Sequence, residues 1–172
     1  PLHYVDADVH AATFARTLEN CPPGPPGQAD QCVVGAISFY TTRLANPDLV
    51  VKERVLALRL VAHFLGDLHQ PLHVGHFDER GGNLTKVRLG DAAPEKMHAI
   101  WDYTLIELRL AQRARDAWEA YTPGDGWQSW AVGLDQRITP AERADWTKDM
   151  SPDAWASEVL ALAEGPAFQY RD

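Results

Sequence analysis

The stretch HFLGDLHQPLH, residues 63–73, carries three histidines and one aspartate, and Pro71 splits the run. His63 and Asp67 are four apart, so on a helix they stack on one face. Leu56 and Leu60 continue that face backwards, and the stripe turns from apolar to polar as it nears Pro71. Burying an imidazole and a carboxylate together without partners is costly; a bound cation removes the conflict. The same spacing recurs at His98 and Asp102, while His73 lies just past Pro71 and His3 sits in LHYVD at the amino end. One His–Asp pair at this spacing is often no more than a local hydrogen bond. Two pairs with two further histidines favour metal binding. Imidazoles and carboxylates without a thiolate suit zinc rather than calcium or magnesium. Several such ligands on adjacent helices suggest more than one ion, and paired metals suit in-line displacement at phosphorus. His10, His69 and His76 are expected to be non-ligands, with His69 a candidate for orienting its neighbours.

Helices must position these groups. Apolar spacing at Val33, Ile37, Tyr40 and Leu44 predicts one helix, and Asp48 is read as the N-cap of a second running to about Leu68. A third is expected over 96–118, weaker ones over 126–137 and 152–164, and a short one over 8–20. Ser151 followed by Pro152 marks the start of the last long segment. Residues 74–92 hold a glycine pair and a brief alternation, Leu84, Val87 and Leu89, which reads as a loop or small β-ribbon. Strand signals are otherwise scarce. The expected fold class is mainly α, a single helical domain over 1–172 with the ribbon or loop near 77–90.

At 172 residues, 45% of them apolar, the chain can bury one core and has a globular composition. No stretch approaches the ~20 uninterrupted apolar residues of a membrane span, so no membrane association is expected. The first residues show no signal-peptide pattern and no initiator Met, so the chain reads as a processed product or a fragment. A formal charge of −8 argues against gripping nucleic acid through a broad basic surface. It leaves room for phosphate chemistry at a metal centre, where bound cations reverse the local sign. Cys21 and Cys32 bracket a Pro/Gly-rich loop. A disulfide there fits better than two unrelated free thiols, and it suggests an oxidising compartment.

HFLGDLHQPLHVG, the GGN at 81–83, MHAIWD at 97–102 and LHYVD at 2–6 together resemble the zinc-dependent single-strand-specific nucleases, the nuclease S-one/P-one family, relatives of bacterial zinc phospholipase C. CVVGAISFY at 32–40 and DAWASE at 153–158 also fit. The resemblance implies a mainly helical phospholipase C/nuclease-type fold with up to three zinc ions. His73, His98 and Asp102 would form one complete three-ligand site; His3, His63 and Asp67 would hold a second ion, with Asp67 bridging to a third. Asp67, His63 and His98 would carry the catalysis through those ions. Tyr4 and Asp6 would fall where the family stacks and hydrogen-bonds a base, against ordinary core packing as the other reading of Tyr4. Asn83, in the GGN, would join them in binding substrate. The family's further ligands lie upstream of LHYVD, so the second and third sites are expected to be depleted here.

The implied function is a zinc-dependent endonuclease that cleaves single-stranded DNA and RNA to 5′-phosphorylated products, with 3′-nucleotidase activity as an extension, by attack of zinc-activated hydroxide on phosphorus. The alternatives are a zinc phospholipase C and an inactive zinc-binding remnant. The six tryptophans are scattered and form no membrane-facing stripe. A monomeric protein, secreted or periplasmic, is expected to act on single-stranded nucleic acid or nucleotides.

Overall fold

The computed structural model describes residues 1–75, 80–117, 122–123, 126–165 and 167. The chain divides into two compact units, one formed by residues 1–82 with 151–172, the other by 83–150.

The first unit is built on α1 (Val33–Ala45), α2 (Val51–Leu68) and α7 (Pro152–Glu164). The side chain of Cys32 caps α1, its Sγ accepting from Gly35 N at 3.2 Å. Gly35 has to be glycine, because a Cβ there would stand 2.6 Å from the Asp30 Cβ. Cys21 and Cys32 form the expected disulfide. Val33, Val34 and Ile37 of α1, Phe64 and Leu68 of α2, and Val159 and Leu160 of α7 are buried in one core with Val5, Val9 and Phe14. Each large side chain contributes about 1.5–3 kcal/mol by leaving water. Ser151 caps α7 with Pro152 in its first turn, as the sequence predicts.

Two expectations in this unit are corrected. Residues 8–20 form turns and bends rather than a helix. Asp8 accepts from the His10 amide, and Thr17 and Asn20 exchange side-chain bonds with each other's backbone. Short polar side chains that bond locally in this way compete with the helical ladder. Asp48 does not cap α2: the helix starts after Val50, which makes no side-chain cap bond. Instead Asn46 Oδ1 accepts from the Asp48 amide at 2.9 Å, spending those residues on a turn around Pro47. The α2 face carrying Leu56 is also exposed, at 55% for that residue.

The second unit holds a ribbon of β1 (Lys86–Val87) and β2 (Glu95–Lys96), paired antiparallel with Lys86 opposite Lys96. Val87 lies where alternation predicts a strand, but its partner strand ends on Lys96, the residue expected to begin the third helix. That helix is also not uniform. A short α3 (Met97–Ala99) runs into a π-helical turn, Ile100–Thr104, before α4 (Leu105–Asp116). The expected tail of the helix at Trp118, and residues 76–79 with His76 and the start of the expected ribbon, lie outside the described residues. Two shorter helices follow, α5 (Trp127–Asp135) and α6 (Pro140–Trp146). The sequence reading misses α6, although Thr139 and Glu142 close a full capping box at its start. The architecture is mainly α. Among the described residues no helix is long and apolar enough to cross a membrane.

Candidate metal centre

In the last turns of α2, His63 Nε2 and Asp67 Oδ2 stand 3.3 Å apart. Regular helical geometry accounts for that pair, since residues four apart share a face. Phe64, between them in sequence, is buried in the core and only 3% exposed. Its ring also backs the imidazoles from below, with centroids 5.3 Å from His3 and 5.6 Å from His63.

His3 lies in a turn at the head of a segment whose side chains alternate: Val5, Ala7 and Val9 are buried, while Tyr4, Asp6 and Asp8 are exposed. Two backbone bonds fix this segment. The Val33 amide at the start of α1 donates to the Tyr4 carbonyl at 3.0 Å, and the Val5 amide donates to the His73 carbonyl at 2.8 Å. With its backbone so held, His3 places Nδ1 2.8 Å from Asp67 Oδ2 and 3.2 Å from His63 Nε2.

The two imidazole nitrogens and the carboxylate oxygen therefore form a triangle with edges of 2.8, 3.2 and 3.3 Å. A tetrahedral zinc with bonds of about 2.0–2.1 Å sets its donor atoms about 3.3 Å apart. The donors are two imidazole nitrogens and one carboxylate oxygen, a set that zinc accepts, and they meet around a common point instead of lining up as a chain of bonds. Donor chemistry and spacing both fit a cation. The second oxygen of Asp67, Oδ1, is 3.7 Å from His73 Nδ1, beyond hydrogen-bond range. One carboxylate thus offers its two oxygens in different directions.

His98 and Asp102 belong to the second unit, where His98 Nε2 lies 3.3 Å from Asp102 Oδ2. The expected four-residue stacking is present, but the backbone between the two is α3 running into the π-helical turn. Such turns gather at functional sites because the extra residue re-aims side chains.

Tyr4 is 46% exposed, which excludes core packing as its role. Asp6 lines an open cavity of about 390 Å³ with Asp8, Phe14, Thr17 and Leu160. Asn83 is half-buried and follows Gly81 and Gly82, both at positive φ, +61° and +78°. Only glycine adopts that conformation without strain. His69 does not point toward the triangle: its Nδ1 bonds the Leu65 carbonyl at 2.7 Å and its ring lies 6.2 Å from Trp155. His10 is exposed, 3.7 Å from Glu164. Sequence spacing gives no sign that the Gln70 side chain caps the turn Pro71–His73.

Fold and site together define a mainly helical protein with an imidazole–carboxylate centre. The S1/P1 nuclease family model matches residues 1–171, and the chain belongs to that family. Among its relatives, Endonuclease 2 of Arabidopsis thaliana is 32% identical over 95% of this chain and 56% of its own length. Nuclease P1 of Penicillium citrinum is 30% identical over 94% of this chain and 58% of its own. Endonuclease 4 of Arabidopsis thaliana is 38% identical over 64% of this chain and 38% of its own. The chain spans about half the length of the first two, and less of the third.

Proposed function

We propose that this chain is the metal-binding part of a zinc-dependent nuclease that hydrolyses single-stranded DNA and RNA to 5′-phosphorylated products, and that also acts as a 3′-nucleotidase. The convergence of His3, His63 and Asp67 on one point carries the reading. Those three residues would hold one zinc, with Asp67 turning its second oxygen toward a neighbouring ion. His73, His98 and Asp102 would hold another. Bound zinc supplies an activated water near neutral pH and stabilises the charge on the leaving oxygen. No side-chain nucleophile is required.

The remaining residues bind and orient. The exposed ring of Tyr4 offers a face on which an unpaired base can stack. Asp6, two residues on and on the same side of the segment, accepts hydrogen bonds from a base's amino edge, and Asn83 contacts the substrate. A duplex hides its bases in the stack, so a site of this kind prefers single strands. Phe64, buried in the core, sets its ring beside both imidazoles. The surface charge of −8 is compatible, because the positive charge that attracts phosphate comes from the ions. The Cys21–Cys32 bridge supports a secreted or periplasmic location.

Zinc-loaded protein should be incubated with single-stranded DNA, single-stranded RNA, duplex DNA, a 3′-nucleotide and phosphatidylcholine vesicles. Cleavage of the single strands, with duplex and lipid left intact, is expected. Turnover of phosphatidylcholine alone would replace the reading with a phospholipase; tight zinc binding without turnover of anything would make the chain a non-catalytic binding protein.

A further inference from the structure

We infer that Gln70 is a positioning residue for the metal centre: its side chain holds the turn that carries His73 and, through one backbone bond, the amino-terminal segment that carries His3. The inference rests on the metal reading above. Helix α2 ends at Leu68, and Gln70 leaves it in extended conformation, φ −87° and ψ 114°. Pro71 comes next and has no N–H. The first amide of the short 3₁₀ turn Pro71–His73 is therefore that of Leu72, a residue 3% exposed. Gln70 Oε1 accepts from this amide at 2.5 Å. A buried amide with no acceptor would cost far more than one facing water.

The consequence reaches two ligands. The Gln70 carbonyl accepts from the His73 amide at 2.9 Å, and the His73 carbonyl accepts from the Val5 amide at 2.8 Å. Val5 lies two residues from His3 on the amino-terminal segment. With the cap lost, the turn keeps its backbone bonds but its first amide loses its acceptor, which loosens the support of both the His73 imidazole and the segment that carries His3. Gln70 touches neither substrate nor ion in this scheme. It acts through the backbone.

The pattern, a side-chain amide oxygen accepting from the amide two residues on, is the one asparagine makes in an Asx turn. That supplies a conservative rescue. Gln70→Met keeps the length and removes the acceptor; Gln70→Asn restores the acceptor without adding charge. Zinc affinity is to be measured by chelator competition, cobalt coordination by visible absorption, and amide exchange at Leu72 and Val5 in the zinc-free protein. Gln70→Met is expected to weaken zinc binding about tenfold, in line with the loss of a residue that orients a ligand, and to speed exchange at both amides. Gln70→Asn is expected to stay within about twofold of the parent. Gln70→Ser, a weaker cap, should fall between them, and it keeps the comparison open if Gln70→Met does not fold. Equal affinity and equal exchange in Gln70→Met and the parent would overturn the inference. A parent protein that binds no zinc would overturn the metal reading instead, and the zinc-free exchange would still decide whether Gln70 holds the turn.

Discussion

The two His–Asp pairs have the same spacing and the same separation, 3.3 Å, yet their settings differ. On α2 the histidine is the exposed member, its side chain 56% accessible against 16% for Asp67. Across the π-helical turn the order reverses, with His98 at 21% and Asp102 at 39%. The first pair stands on a regular α-helix whose adjoining residues Phe64 and Leu68 are buried in the core. The second stands on an irregular turn in a unit whose buried residues, among those described, are Met97, Ile100 and Leu110. Neither α5 nor α6 buries a residue. A His–Asp pair can therefore be set by tertiary burial or by local backbone geometry, and the two should fail in different ways.

Removing the shared carboxylate should separate them most sharply. Asp67→Asn should lower zinc affinity at the His3/His63 centre on the order of a hundredfold or more, since metal ligands each carry a large share of the binding free energy. His98→Ala should leave that centre's affinity unchanged. Chelator competition on both variants checks this, and an equal loss in both would mean that the pairs do not act as separate centres.

Core truncation comes next. Phe64→Ala should destabilise the first unit by about 3–5 kcal/mol, whereas Trp146→Ala, at a side chain 53% exposed in the second unit, should fall within about 0.5 kcal/mol of the parent. Urea unfolding followed by near-ultraviolet circular dichroism gives both values. Opening the Cys21–Cys32 bridge removes a cross-link between residues 11 apart, a loss of about 3 kcal/mol by the chain-entropy argument. Cys21→Ala/Cys32→Ala should show it as a lower urea midpoint in the first unit alone.

The smallest effect belongs to α6. The Thr139 amide and hydroxyl both donate to Glu142 and hold its carboxyl below its usual value of 4.5. A lowered folded value means the contribution is complete above about pH 4.5 and disappears as the pH falls through that lowered value. Protection of the Glu142 amide, relative to the intrinsic exchange rate at each pH, should fall over that acid range. Thr139→Ala should produce the same fraying at neutral pH, costing about 1 kcal/mol. Insensitivity of α6 to both would remove local capping as its support.

Regular features were legible and irregular ones were not. The α1 stripe, the body of α2, the Ser151–Pro152 start of α7 and the pairing of Cys21 with Cys32 follow from periodicity, capping chemistry and loop composition. The turns at 8–20 escaped because their polar side chains bond the backbone locally, which apolar spacing does not register. The π-helical turn escaped for another reason. His98 and Asp102 keep a helical interval whether or not an extra residue is accommodated between turns. At the site, spacing alone pairs His63 with Asp67. The approach of His3 to the same oxygen depends on two backbone bonds made far away in sequence, and its expectation came from family resemblance. The cap by Gln70 was invisible because glutamine is an unremarkable residue until a proline removes the donor beside it.

The backbone bond from Val5 to His73 bears on how the protein is made. His3 and Asp67 are 64 positions apart, and closing a loop of that size carries an entropic cost met before the contact returns anything. Helices α1 and α2 can form early from local contacts, but the donor triangle waits for the amino-terminal segment to dock. Zinc uptake should therefore lag behind the gain of helical signal during refolding, and the ion would be captured only by chains that have already completed this unit.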